Sequence, residues 1–112
     1  MKRLALLALA VLVLVPGAMA SDSGGAPVIK YRDDQFGAIL ATPKKKALYY
    51  WNVEKRAGGK IRCKGACARA WPPLIVKSRS AVPRRIAGIP GVFGVVRRPD
   101  RRLQVKHRGL PV

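Results

Sequence analysis

Acidic residues are what this chain has least of: only Asp22, Asp33, Asp34, Glu54 and Asp100 stand against 23 lysines and arginines. It has one histidine, few serines and two cysteines, and its aromatics make up 6% of the residues. With no paired carboxylates beyond Asp33-Asp34, general acid–base chemistry has little to work with. Gly58-Gly59-Lys60 does not sit between a strand and a helix, so it is not a phosphate-cradling loop. A metal centre would need more ligands than His107 and two cysteines. His107 on its own reads as a strand-face residue. No cofactor and no catalytic residue is expected, and the reading is of a non-enzymatic protein.

The long apolar run is also missing. Leu4 to Val15 is unbroken but shorter than the roughly 20 residues of a spanning helix. It follows Met1-Lys2-Arg3, is broken by Pro16-Gly17 and leads to Ala18-Met19-Ala20, the order of a secretory signal peptide cut after Ala20. Residues 1–20 are therefore expected to leave. No cysteine follows the run to carry a lipid, so the mature product is expected to be soluble, in the periplasm or outside the cell. It keeps a net charge of +16 over 92 residues, once Lys2 and Arg3 have gone with the signal. Such a surface attracts polyanions, through Lys44, Lys45, Lys46, Arg84, Arg85, Arg97, Arg98, Arg101 and Arg102. The bland alternative is that these residues only solubilise the surface.

Export decides the cysteines. Cys63 and Cys67 should pair in an oxidising compartment, and the five-residue ring is worth about 2 kcal/mol by loop entropy. Arg62, Lys64 and Arg69 would lower a free thiol pKa, which keeps a thiol redox role in view. A thioredoxin-type pair, however, has two intervening residues and not three.

What is present reads as mainly β. Residues 21–35 form a linker, within which Val28 to Arg32 is a short extended piece and Asp33-Asp34 a turn. Phe36–Ala41 and the aromatic Ala47–Val53 predict a first hairpin around Pro43. Cys63, Cys67 and Trp71 fall at helical spacing, and Pro72 forces the end of any helix near Ala70. One short turn, tied by its own disulfide, would drop Trp71 onto the hairpin. Residues 74–92 are mostly loop. Phe93–Arg98, a turn at Pro99–Arg102 and the alternating Leu103–Arg108 predict a second hairpin, with Leu103, Val105 and His107 on one side. Two hairpins that open with Phe-Gly are a weak internal repeat.

Tyr49, Trp51, Glu54 and Trp71 are candidates for a ligand site, with aromatics stacking on a sugar, quinone or base and Glu54 accepting hydrogen bonds. The plainer reading puts Tyr49 and Trp51 in the core under Trp71, with Glu54 holding a turn.

Leu48-Tyr49-Tyr50-Trp51-Asn52-Val53-Glu54, the segment from Cys63-Lys64-Gly65-Ala66-Cys67 to Trp71-Pro72-Pro73, and Arg98-Pro99-Asp100-Arg101-Arg102-Leu103-Gln104-Val105 together resemble a bacterial family. It is the secreted-repeat or predicted-lipoprotein family of unknown function with a Tyr-x4-Asp motif. The resemblance runs from about Phe36 to the C-terminus and implies one secreted repeat domain over residues 36–112. Glu54 replaces the family's aspartate, and Arg101 stands where its turn has glycine. Family members continue into a further aromatic strand, so the second repeat is expected to be incomplete. That would leave a C-terminal strand edge open to self-association. Three functions are expected in turn: binding of an envelope component or protein partner, polyanion binding, and thiol redox work.

Overall fold

The computed structural model describes residues 25–112. The signal peptide expected over residues 1–20 and the first residues of the linker lie outside them. Among the described residues no helix is long and apolar enough to cross a membrane.

The chain enters the fold at Val28, which is fully buried, and runs straight into β1 (Ile29–Asp33). The linker expected over residues 21–35 therefore ends sooner than the turn-rich composition suggests. Asp33 turns the chain: its carboxylate accepts the N–H groups of Gln35 and Phe36 at 2.8 and 2.9 Å, and Gly37 takes the positive φ of +73°. β2 (Gly37–Ala41) returns antiparallel, with Ile29 opposite Ala41 and Asp33 opposite Gly37.

The expected partner of β2 was the aromatic stretch Ala47–Val53, and this pairing is corrected. It shrinks to one bridge, Ala41 to Ala47, closed by the Thr42–Lys46 turn and a last Leu48 N–H to Leu40 C=O bond of 2.9 Å. β1 already occupies the other side of β2. Beyond Leu48 the backbone leaves the sheet and winds into α1 (Asn52–Arg56), with Trp51 still extended at the helix entrance.

The cysteine segment follows its expected course. Cys63 and Cys67 are bridged, and α2 (Ala66–Ala70) is one short turn ending before Trp71. Cys63 precedes that turn instead of sharing its face, because Gly65 bends the chain at φ +55°.

The second sheet is centred on β5 (Leu103–His107), with β4 (Phe93–Arg97) antiparallel along one side, as the alternation predicts. Along its other side lie β3 (Ile75–Val76) and β6 (Leu110–Pro111), one against each half of the strand. Val112 joins them: its N–H donates to Val105, and its carbonyl accepts from Leu74, both at 3.0 Å. The last residues are stitched into the sheet beside β5, so the C-terminal edge is formed by β6 and not by β5. The outer side of β4 is also engaged. Phe93 N–H donates to Arg84 C=O at 2.8 Å, and the Arg79 guanidinium donates to Val95 C=O at 3.1 Å.

One core serves both sheets. Val28, Val82, Ile89, Phe93 and Val105 form its centre, with Leu40 and Leu48 from the first half packed on it. His107 lies on this side, as the alternation predicts, stacked on the cross-strand Phe93 with ring centroids 4.6 Å apart. Its Nε2 sits 2.7 Å from the Pro90 carbonyl oxygen, which can only accept, so Nε2 carries the proton. The two Phe-Gly pairs are not equivalent: Phe93 is buried in a strand, whereas Phe36 is exposed in a turn.

Candidate functional site

The departure of the chain from β2 sets up the site. Tyr49, Tyr50 and Trp51 lie in the connection between the sheet and α1, where no second sheet covers them, and are 47, 49 and 43% exposed. Trp71, just past α2, is 61% exposed and meets Tyr49 edge to face, with centroids 5.6 Å apart. The reading of Tyr49 and Trp51 as core is therefore corrected. Trp71 does pack toward the first half of the chain, but these aromatics wall an open pocket of about 340 Å³. Pro72, Pro73 and the Cys63–Cys67 bridge complete the walls. Lys55 Nζ stands 5.6 Å from the ring centre of Tyr50, which makes the rim basic.

The floor is polar and buried. Glu54 is only 4% exposed, and its Oε2 accepts the backbone N–H groups of Arg62 and Cys63 at 2.8 and 3.0 Å. It ties α1 to the entrance of the disulfide segment. The Cys63 carbonyl then accepts from Arg98 Nη2 at 2.8 Å. Arg98 Nη1 donates to Gln104 Oε1 at 2.6 Å, and Gln104 Nε2 donates to the Val112 carbonyl at 2.9 Å. One chain of hydrogen bonds thus runs beneath the pocket from α1 through the disulfide and β5 to the C-terminal residues. Buried groups connected in this way hold one another in place.

Arg98 was expected among the polyanion-binding residues. At 3% exposure it belongs to this floor instead, and that assignment is corrected. Lys44, Lys45, Lys46, Arg84, Arg85, Arg97, Arg101 and Arg102 are exposed as expected, although spread over separate turns. The ion pairs among the described residues both converge on Asp100, from Arg98 at 3.4 Å and from Arg102 at 2.9 Å. Hydrogen bonds from the Arg102 side chain and backbone, joined by Arg98, hold the Asp100 carboxyl down at about 2.

Sequence reasoning missed Tyr50, Arg98 and Gln104 as pocket residues. Tyr50 sits between Tyr49 and Trp51, and that position was the signal that could have found it. Nothing local marks Arg98 or Gln104, whose partners lie 35 and 8 residues away. A second, shallower concavity adjoins the first across Pro72 and Pro73, with Arg69, Arg102 and Asp100 on its lining.

The aromatic stretch, the disulfide and the Trp-Pro-Pro exit together define a disulfide-stapled β module. Residues 30–75 match the family described as a secreted repeat of unknown function. The match takes in all of β1 but Ile29, β2, both helices and all four aromatic walls. No curated protein and no solved structure matches the chain.

Proposed function

We propose that this exported protein is a non-enzymatic binding module, and that it takes an envelope component in the aromatic pocket. One observation carries this reading: four large aromatic side chains stand exposed around a single concavity over a buried, hydrogen-bonded polar floor. Exposed aromatics cost solvation unless something covers them, and monomeric proteins seldom gather them in one place. The pocket lies at the small end of the 300–1,000 Å³ range usual for ligand sites.

Sedimentation with purified cell-wall sacculi tests the proposal. Trp71→Ala is expected to abolish co-sedimentation, while replacing Lys44, Lys45 and Lys46 by glutamine leaves it intact. The opposite pattern would transfer the function to the second reading, polyanion binding, which is favoured by the many exposed cations without an acidic partner. That reading also requires binding to fall steeply with salt. Thiol redox work has less support, since both main-chain groups of Cys63 are committed to holding the pocket floor. Cleavage after Ala20, with release into the periplasm or the medium, belongs to the same proposal. An intact mass beginning at Ser21 is the outcome expected.

A further inference from the structure

Resting on the pocket reading above, we propose that the ligand is an acidic glycan: one sugar ring against Tyr49 and Trp71, with the carboxylate of a neighbouring unit over Arg69. The floor narrows the chemistry. Arg98 uses one N–H on each of its three nitrogens, toward Asp100, Gln104 and Cys63. Its guanidinium has five donors, so two N–H groups on a side chain only 3% exposed have no partner among the described residues. Glu54 directs Oε2 to two amides, and its Oε1 accepts nothing among the described residues. The pocket therefore offers unspent donors and an unspent acceptor below apolar walls.

A lipid tail answers neither polar group, and a quinone answers only the donors. A pyranose answers all three features. Its hydroxyls donate and accept at the ring edge, and its C–H face is apolar and fits an aromatic wall. The acidic part follows from position and charge. The concavity across Pro72 and Pro73 is lined by Arg69, Arg102 and Asp100. Asp100 is spent on Arg102, and Arg69, with no ion-pair partner among the described residues, is left as the cation for an incoming carboxylate. Lys55 beside Tyr50 adds positive charge near the pocket, which favours an anionic ligand as a whole. A chain of linked sugars spans both concavities, whereas a single ring fills one.

The test is calorimetric titration of the disulfide-intact protein with three probes: tetragalacturonate, neutral maltotetraose and an octathymidylate. Tetragalacturonate is expected to bind most tightly. Trp71→Ala, at a site exposed enough to keep the fold, is expected to weaken both sugars about tenfold. Arg69→Gln is expected to weaken tetragalacturonate alone, by about threefold. The triple Lys44, Lys45, Lys46→Gln variant removes more charge from a distant turn and is expected to change neither ratio. Equal binding of the two sugars would overturn the acidic assignment. So would a triple variant as weak as Arg69→Gln. Tighter binding of the octathymidylate, unaffected by Trp71→Ala, would replace the glycan with nucleic acid. Absence of sugar binding while sacculi still require Trp71 would sink the glycan and spare the pocket. Indifference of both assays to Trp71 would sink the pocket as well.

Discussion

At the scale of single residues, Arg101 and Asp100 carry the sharpest expectations. Arg101 closes the β4–β5 turn with φ +71°, in the left-handed region where a side chain costs roughly 1–2 kcal/mol. Arg101→Gly removes that strain at the expense of some unfolded-state entropy, so a net stabilisation of about 0.5–1 kcal/mol is expected in denaturant unfolding. An unchanged midpoint would mean that the turn relaxes without help. Asp100, beside it, is held at about 2 against an ordinary 3.8, first by its hydrogen bonds from Arg102. Its folded-state pKa is depressed, so its contribution is present above the unfolded value and is lost as pH falls from near 4 to near 2. The thermal midpoint of Asp100→Asn should therefore fall less than that of the parent across this window, and the two should run parallel above pH 5. A gap that widens on acidification would contradict this. Because the carboxylate is open to solvent, the difference is expected to be small.

At the scale of elements, the segment from α1 to α2 works as one clamp. Glu54 fastens one end of it and the disulfide the other, so the two should fail differently. Glu54→Ala strands two part-buried N–H groups and is expected to cost about 3 kcal/mol. Serine at both Cys63 and Cys67 frees only a five-residue ring, worth about 2 kcal/mol, and leaves the Glu54 bonds in place. Chemical unfolding of both variants distinguishes them, and a larger loss for the serine variant would move the clamp to the disulfide. The clamp also shows how far sequence reading reaches. β5 was legible because Leu103, Val105 and His107 alternate and one side faces the core. α2 was legible because Pro72 fixes its end. Ala47–Val53 was misread because aromatic content signals a half-buried strand, whereas here the aromatics are displayed from a connection. β2 was given the wrong partner because β1 precedes the Phe-Gly signal used to place the hairpin. Tyr49, Trp51, Glu54 and Trp71 were named from type and spacing alone, and all four do line one pocket. Their floor was not legible, because Arg98 is one arginine among many and only distant partners reveal that it is buried.

At the scale of the whole molecule, a small core meets a large excess of positive charge. The centre of the core is five residues, while almost every lysine and arginine is exposed and most face no acid. Like charges spread over so small a body repel one another, and the compact state bears more of that repulsion than the extended chain. Salt shortens the reach of this repulsion, from about 20 Å at 0.02 M to about 6 Å at 0.3 M. The Arg102–Asp100 pair is exposed and weak, so its screening takes little away. The repulsive sum therefore decides the sign, and the thermal midpoint should rise by a few degrees between these two salt concentrations. The hydrogen-bonded floor runs from Glu54 to Val112 and joins both halves of the chain, so they should melt together. Tryptophan fluorescence, which reports the pocket, and far-ultraviolet dichroism, which reports the sheets, should give coincident transitions at either salt. A midpoint that falls with salt would mean that attractive pairs outweigh the repulsion. Transitions that separate would mean that the floor does not couple the two sheets, and the pocket would then open before the fold is lost.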